Sequence, residues 1–371
     1  MMKEEDTATH HQQKKIKKKT YKREYLNGIE SLSLLSLDSP PAPQFVFEKE
    51  NSAISRNFQN EIKSNPYIIT IFFDGILQYS REMIEDVYGT YLLYCIIERC
   101  DSSQLYQLVD KLGYTLAMAA CNQQGSYCVQ KLCEKSHEDE KTSILIWRYL
   151  KPLGTSLCVN AYGNHCIQKL ILSGKVFYFP DLIQMIIDNF QMICLHRYGS
   201  YVIQRCFDCI RDNHPVFRLE MIQKLNENFV TCSMDMVGNY STQHMIQHMY
   251  PSDLDLLRSV SGNIQKLACD THGSNVLDCL VARTENRKMV KLLVDEMTMK
   301  DNLIKILTNH YGRCCIKKAL ISWDVSYEGR QLAVSILEVL PFFQTTERLN
   351  FIIEKIKNTW KVKNYHLPQY Q

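Results

Sequence analysis

A block of six residues recurs along this chain, and its residue types are suited to binding flat, polar ring systems. The block is a glycine followed by five residues, of which the first is usually Ser or Asn, the second an aromatic ring and the fifth Gln. On a helix the first and fifth positions lie one turn apart on one face, with the second alongside. Two such side chains can hydrogen-bond to one nucleobase edge while the ring stacks between bases. Core packing would favour apolar residues at these positions, so the block predicts contact with nucleic acid.

The block repeats with a nearly constant period. Successive glycines are separated by 36, 38, 36, 39, 35 and 39 residues. The seven copies are GTYLLY (89–94), GSYCVQ (125–130), GNHCIQ (163–168), GSYVIQ (199–204), GNYSTQ (238–243), GSNVLD (273–278) and GRCCIK (312–317). An eighth copy, ISRNFQ (54–59), lies 35 residues upstream and has Ile54 in place of glycine. A period of this length predicts a solenoid, in which one unit alone cannot bury its apolar face.

The elements that must position the blocks are predicted to be helices. Segments such as 177–194 and 214–230 carry apolar residues near helical spacing, and each glycine comes just before a second helix. Strand signals are sparse in the repeats, since the sequence from residue 45 onward has no sustained polar–apolar alternation and no Asn-Gly hairpin. The sequence therefore predicts an all-α fold.

The blocks resemble the RNA-reading helices of the Pumilio (PUF) family, over eight units from about residue 45 to the C-terminal region. The resemblance implies a right-handed, curved α-solenoid of eight Pumilio-type repeats with short terminal caps, and ERLNFIIEKIKNTW (347–360) suits the C-terminal cap. It also implies that single-stranded RNA is the partner, with about one base per repeat. The C-terminal repeat would meet the 5′ end of the RNA.

Six trios, each made of the first, second and fifth residues after the glycine, resemble trios with a base preference in that family. The adenine-like trios are Ser55, Arg56 and Gln59 in repeat 1, Ser126, Tyr127 and Gln130 in repeat 3, and Ser200, Tyr201 and Gln204 in repeat 5. The uracil-like trios are Asn164, His165 and Gln168 in repeat 4, and Asn239, Tyr240 and Gln243 in repeat 6. The guanine-like trio of repeat 7 is Ser274, Asn275 and Asp278, whose carboxylate is one methylene shorter than the family's Glu. From the 5′ side, the resemblance implies N-G-U-A-U-A-N-A, which is similar to UGUA-containing elements.

Repeats 2 and 8 depart from the pattern, and no base follows from either. Repeat 2 has Thr90, Tyr91 and Tyr94, and repeat 8 has Arg313, Cys314 and Lys317. The two cations of repeat 8 are expected to grip phosphate or to tolerate any base. We expect weaker discrimination at both positions.

Charge is concentrated at the N-terminus. The net charge of the 371 residues is +3, but residues 1–23 hold eight cationic and three acidic residues, so the remaining 348 carry a net −2. Residues 1–44, with a basic run at 14–23 and Pro40, Pro41 and Pro43, are predicted to form a disordered tail and linker. Residues 45–371 are predicted to form the repeat domain, which would bind RNA mainly by stacking and base-edge contacts.

Metal and enzyme chemistry find little support in the sequence. The 15 cysteines are predicted to be structural thiols, because no secretory signal is visible and Cys128, Cys166 and Cys315 fall three residues after block glycines. His244 and His248 have the spacing of a zinc pair, but Met245 replaces the glutamate of a metalloprotease motif and the pair belongs to the repeat 6 block helix. The sequence contains neither the phosphate-binding motif G-x-x-x-x-G-K-[ST] nor the dinucleotide-binding motif G-x-G-x-x-G. We therefore expect no metal, no cofactor and no enzymatic activity.

The favoured interpretation is a monomeric, cytoplasmic regulator that binds mRNA 3′ untranslated regions and lowers translation or mRNA stability. The family resemblance implies recruitment of a deadenylase complex, and no membrane partner is expected. One alternative is a nucleolar Pumilio-like factor for ribosomal RNA maturation, which the basic tail would suit. The other is a protein-binding armadillo or HEAT scaffold, which explains the period but not the trios. The basic tail leaves nuclear entry open.

Overall fold

The glycine blocks lie at or near the starts of α-helices in the computed structural model, which describes residues 59, 60, 62, 64, 67–173, 179–343 and 347–360. Helices make up most of the described part of the chain, which contains no β-strand. We call the helix that carries a block its block helix. The block helices of repeats 2–8 are Val87–Arg99, Gln123–Lys135, Gly163–Ser173, Gly199–Arg211, Gly238–His248, Gly273–Ala282 and His310–Ser322.

Most block helices are preceded by a short facing helix, and most facing helices by a longer outer helix. The facing helices of repeats 3–8 are Thr115–Ala120, Gly154–Val159, Phe190–Cys194, Phe229–Met234, Ile264–Ala268 and Lys300–Thr308. The outer helices are Ser102–Leu112, Glu140–Leu150, Pro180–Asp188, Pro215–Glu227 and Arg287–Met297. In repeat 2 a single helix, Tyr67–Glu85, precedes the block helix.

Tertiary contacts divide the chain into two units, one ending at Leu182 and the other beginning at Ile183. In the first unit, the block helices of repeats 2–4 pack in sequence order, each against the next. The same holds in the second unit for the block helices of repeats 5–8. Each unit is therefore a stack of helical repeats with an apolar core between the helix layers.

Two predicted helical segments are each divided in the structure. The helix within 177–194 breaks at Asn189, and the helix within 214–230 breaks at Asn228. Both asparagine side chains donate to a carbonyl one turn earlier, that of Met185 for Asn189 and that of Lys224 for Asn228. The backbone N–H of each asparagine donates to the same carbonyl at 3.2 Å, so side chain and backbone share one acceptor where the outer helix ends.

Repeat 7 has no outer α-helix. Two 3₁₀ turns, Pro251–Leu256 and Arg258–Val260, occupy its place. Pro251 lacks a backbone N–H, and the Ser259 hydroxyl donates to the Asn226 carbonyl of the preceding outer helix at 2.7 Å. The segment predicted to form the C-terminal cap, 347–360, is helical, with a 3₁₀ turn at Glu347–Leu349 followed by the helix Asn350–Trp360.

The block glycines are required because each one contacts the backbone of the preceding helix. A Cβ atom at Gly199 would lie 2.2 Å from the carbonyl oxygen of Ile193, six residues earlier. The same six-residue relation holds for every block glycine of repeats 2–8, with the nearest carbonyl oxygen between 2.2 and 3.0 Å. A side chain larger than hydrogen would force the two helices apart.

Most neighbouring block helices within a unit are joined by a hydrogen bond from the third position of the block. The thiols of Cys128 and Cys166 donate to the first-position carbonyls of the preceding repeats, those of Thr90 at 3.1 Å and Ser126 at 3.6 Å. Ser241 donates to the Ser200 carbonyl at 3.0 Å, and Cys315 to that of Ser274 at 3.6 Å. Burial raises the pKa of all three thiols, which keeps them protonated as donors. The predicted structural role of these cysteines is confirmed.

We expect Gly199→Ala to destabilise the protein by about 1–3 kcal/mol, because the added methyl group overlaps the Ile193 carbonyl. Helix propensity alone would give the opposite sign, since alanine is favoured over glycine in a helix by about 1 kcal/mol. Thermal unfolding of the full chain measures the change. Gln191→Ala, on the exposed face of the facing helix, is the control and should stay within about 0.5 kcal/mol. An alanine at 199 that raised the melting temperature would contradict the contact.

Candidate nucleic-acid interface

The blocks of repeats 2–7 present the same arrangement of side chains. The first residue after the glycine is buried, the second is exposed and the fifth is half-buried. Four second-position tyrosines expose between 55% and 63% of their surface: Tyr91, Tyr127, Tyr201 and Tyr240. Large aromatic rings are usually at least partly buried, so the recurrence of four exposed tyrosine rings at the same position indicates that these rings can stack on a ligand.

A side chain caps the N-terminal end of each block helix and orients it. The residue three positions before the glycine accepts the glycine N–H through its side-chain oxygen, as Asp86 does at 2.7 Å and Asn160 at 2.9 Å. The other residues in this role are Asn122, Asp235, Asp270 and Asn309. In repeat 5 His196 takes the position, and its Nδ1 accepts from the Tyr198 N–H at 3.3 Å. This cap was not among the predicted features, although Asp or Asn three residues before a recurring glycine is a visible signal in the sequence.

In the serine-containing trios, the first-position hydroxyl is anchored to the local backbone. Ser126 donates to the Gln123 carbonyl at 3.0 Å, and Ser200 to that of Arg197 at 3.4 Å. A serine is too short to reach the fifth-position amide one turn later. Within the described contacts, no side chain fixes the amides of Gln130 and Gln204, so both amides keep their hydrogen-bonding groups for a ligand.

The asparagine-containing trios differ, because the first and fifth residues are hydrogen-bonded to each other. In repeat 4, Gln168 Nε2 donates to Asn164 Oδ1 at 2.8 Å, and Asn164 Nδ2 donates to the Asn160 carbonyl at 2.8 Å. Repeat 6 reproduces both bonds, from Gln243 to Asn239 and from Asn239 to the Asp235 carbonyl, again at 2.8 Å. The bond fixes the orientation of the glutamine and leaves one N–H and carbonyl lone pairs for a base edge. In repeat 6 the Cys279 thiol also donates to the Gln243 carbonyl oxygen at 3.8 Å.

Repeat 7 places a carboxylate where the other orderly trios have an amide. Asp278 is half-buried, and its Oδ1 is enclosed without a hydrogen-bond partner. Burial raises the pKa of the Asp278 carboxyl above its ordinary value, although contact with the Cys315 thiol opposes that shift. An enclosed acceptor without a donor is costly, and a ligand that supplies donors would relieve that cost.

Repeat 2 forms an aromatic cleft with repeat 3. The cleft has a volume of about 390 Å³ and is lined by Thr90, Tyr91, Tyr94, Gln124 and Tyr127. Tyr94 occupies the fifth position, and the Lys131 ammonium lies 5.3 Å from its ring centroid. The cleft offers three rings for stacking, and its base-edge chemistry differs from that of the glutamine trios.

Both cations of repeat 8, Arg313 and Lys317, contact other groups of the protein. Arg313 Nη1 donates to the carbonyls of Leu307 at 3.2 Å and Thr308 at 2.9 Å. The Lys317 ammonium lies 4.4 Å from the ring centroid of Phe351, which belongs to the C-terminal cap helix. Phe351, about half exposed, is a candidate contact that the sequence analysis did not identify.

Cations next to the trios are largely neutralised. Lys131, one residue after the fifth position of repeat 3, pairs with Glu98 at 3.4 Å and with Glu134 at 3.9 Å. The equivalent Lys169 of repeat 4 pairs with Glu134 as well. This pairing agrees with the small net charge of the chain and favours base contacts over phosphate neutralisation.

The structure places the predicted trios of repeats 2–4 on adjacent helices of the first unit and those of repeats 5–8 on adjacent helices of the second. In repeat 1, Ser55 and Arg56 lie outside the described residues, and only Gln59 is described. The described residues include no helix long and apolar enough to cross a membrane.

We expect Asp278→Asn to raise the melting temperature at neutral pH, because burial disfavours the charged form of this half-buried carboxyl group and its enclosed Oδ1 has no hydrogen-bond partner. A raised folded-state pKa means that the folded protein takes up the proton before the unfolded chain does. The free energy of unfolding of the wild-type protein therefore increases as pH falls from the folded-state pKa of Asp278 to its unfolded-state pKa. Over this pH range the difference in melting temperature between the variant and the wild type becomes smaller. Melting curves of both proteins at a series of pH values measure this.

The exposed Asp295→Asn serves as the control and should change the melting temperature little at any of these pH values. A lower melting temperature for Asp278→Asn at neutral pH would mean that the carboxylate has a stabilising partner in the folded protein.

Comparison with known proteins gives a consistent family. The model of the Pumilio-family RNA binding repeat matches residues 82–112, 120–146, 155–175, 189–214, 228–258 and 263–297, which contain the blocks of repeats 2–7. Pumilio homolog 12 of Arabidopsis thaliana is 24% identical over 256 residues, covering 68% of this chain and 42% of the relative. Pumilio homolog 11 of the same plant is 27% identical over 305 residues, covering 79% and 52%. The chain thus spans about half the length of these relatives.

Solved structures share the fold. The RNA-binding domain of yeast Puf5p bound to MFA2 RNA has a TM-score of 0.73 at 18% identity, covering 84% of this chain and 95% of that one. The Puf4 RNA binding domain bound to the HO endonuclease RNA 3′ UTR recognition sequence has a TM-score of 0.68 at 22% identity, covering 81% and 95%. The predicted all-α Pumilio solenoid is confirmed, and this chain belongs to the Pumilio family of RNA-binding repeat proteins.

Proposed function

We propose that this protein binds single-stranded RNA in a sequence-specific manner, with about one base contacted per repeat. The observation that carries the proposal is the recurring arrangement of a buried first position, an exposed ring and a half-buried amide or carboxylate on consecutive block helices. Family membership, and solved relatives whose structures contain RNA, support the same activity. They also favour an RNA binder over an armadillo or HEAT scaffold.

The preferred element is N-G-U-A-U-A-N-A, with the 5′ base at repeat 8. The two asparagine trios, with the same internal hydrogen bonds, are assigned to uracil at the third and fifth bases. The serine–glutamine trios are assigned to adenine, and Asp278 to guanine at the second base. Repeats 2 and 8 are expected to discriminate least, because Tyr94 and Lys317 replace the usual amide.

Stacking supplies enough energy for a weakly charged protein to bind RNA. A base stacked on an aromatic side chain contributes about 1–3 kcal/mol. The chain offers four exposed tyrosines at second positions, together with His165 of repeat 4. These contacts, with the base-edge hydrogen bonds, offset the cost of ordering the RNA.

The biological role follows from the kind of RNA that carries such elements. We infer that the protein binds UGUA-like elements in mRNA 3′ untranslated regions as a cytoplasmic monomer and lowers translation or mRNA stability, with a deadenylase complex as partner. The solved Puf4 domain is bound to a 3′ UTR recognition sequence, which supports this class of target. The basic run at 14–23 instead favours a second candidate, a nucleolar factor for ribosomal RNA maturation.

The double substitution Asn239→Ser with Gln243→Glu tests the base assignment of repeat 6. It replaces a uracil-like trio by one with a carboxylate acceptor, and guanine presents two donors to that acceptor where uracil presents one. Binding of RNAs that differ only at the third base should shift from U towards G by about tenfold or more, roughly 1.4 kcal/mol.

The matched control is Asn164→Ser with Gln168→Glu, which makes the same change in repeat 4. It should shift preference at the fifth base and leave the third unchanged. Because Asn239 and Asn164 are buried, their replacement could disturb folding, and melting curves establish that both variants fold. If the third-base preference stays at U in a folded repeat 6 variant, repeat 6 does not contact that base as assigned.

A further inference from the structure

A cluster of three metal-ligating side chains lies between the block helices of repeats 5 and 6, apart from the trios. Asp208 belongs to Gly199–Arg211, and His244 and His248 belong to Gly238–His248. One donor atom from each residue lies within 4.8 Å of the donor atoms of the other two. All three residues are half-buried, so solvent reaches the cluster. The sequence alone argues against zinc at the two histidines, because Met245 replaces the glutamate of a metalloprotease motif and both histidines belong to the repeat 6 block helix. The structure adds Asp208 as a third donor.

The two histidines face the same direction because they are separated by one helical turn. Their ring centroids are 4.2 Å apart, with an interplanar angle of 33°. His244 Nε2 lies 2.7 Å from Asp208 Oδ1 on the neighbouring block helix. Two imidazoles at i and i+4, together with a carboxylate, form a donor set typical of zinc sites in proteins.

The tautomer of His248 is fixed in the form that a metal requires. His248 Nδ1 lies 2.8 Å from the His244 carbonyl oxygen, which can only accept, so Nδ1 carries the proton. The lone pair is therefore on Nε2. A ring N–H donated to a backbone carbonyl is the usual arrangement behind a metal-binding histidine, because it orients the ring and strengthens the other nitrogen as a ligand.

We propose that Asp208, His244 and His248 form a binding site for a divalent transition-metal ion, Zn²⁺ in the first instance, that clips repeat 5 to repeat 6. Three protein ligands from two helices leave a fourth position to water. His244 must bind through an unprotonated Nε2, so the proton it shares with Asp208 moves to Nδ1 or to solvent. The 2.7 Å pair must also open slightly, because two ligands about 2.1 Å from a tetrahedral ion lie farther apart than that.

One charge opposes the ion. Arg205 Nη1 lies 4.0 Å from Asp208 Oδ2, the carboxylate oxygen that does not face His244. The Arg205 side chain is partly exposed, so solvent screens its repulsion on a cation at Oδ1. None of the three ligands belongs to a trio, and metal binding can be measured without RNA.

The test is a Zn²⁺ titration of the full chain, prepared without a polyhistidine tag and freed of metal with a chelator. Calorimetry should show one equivalent bound to the wild-type protein, and Zn²⁺ should raise its melting temperature. His248→Gln and Asp208→Asn should each weaken binding by about tenfold or more and abolish the thermal shift. Co²⁺ in place of Zn²⁺ should give a visible spectrum without thiolate charge transfer.

The matched controls are His137→Gln, an exposed histidine in the first unit, and Cys314→Ser, an exposed thiol. Both should bind Zn²⁺ as the wild type does. Melting curves without metal establish that each variant folds, and two independent ligand variants guard against the failure of one. Unchanged affinity in both folded ligand variants, or no binding by the wild type at about 1 mM Zn²⁺, would overturn the proposal.

Discussion

The contact between each block glycine and a carbonyl six residues earlier is the constraint on which the rest of the structure depends. At Gly199 and Gly312, a Cβ would approach that oxygen to 2.2 Å. Because the helices touch backbone to backbone, the rotation of the block helix is fixed. The first position must then point inward, the second outward and the fifth to the margin, in repeat after repeat. The candidate RNA interface is a consequence of this packing.

The same packing leaves polar groups in enclosed positions, and the chain satisfies them locally with few exceptions. First-position hydroxyls and amides bind backbone carbonyls, and third-position thiols or serine donate to the preceding repeat. Asp278 is an exception, with a carboxylate oxygen that has no protein partner. A repeat that positions donors and acceptors for a ligand gives up some of its own stability, because those groups remain unsatisfied until the ligand arrives.

Features that repeat as chemical types could be predicted from the sequence. The period, the helical class, the trios and the phased cysteines all recur, so each copy strengthens the others. The breaks at Asn189 and Asn228 could not be predicted, because they depend on the conformation in which a side-chain amide and its own backbone N–H donate to the same carbonyl. Asp208 lies 36 residues before His244, and only the register between neighbouring helices brings them together. The contact between the Lys317 ammonium and the Phe351 ring likewise depends on where the cap helix packs.

The central claim is that consecutive repeats of this chain contact consecutive RNA bases through their trios. Selection of RNA by the full chain from a random pool tests it most directly, because no target is assumed. The account predicts enrichment of a G-U-A-U-A core, with weak preference at the base before it and at the base after it. Enrichment of a core without G-U-A would contradict the base assignment. No enrichment at all would contradict sequence-specific RNA binding itself.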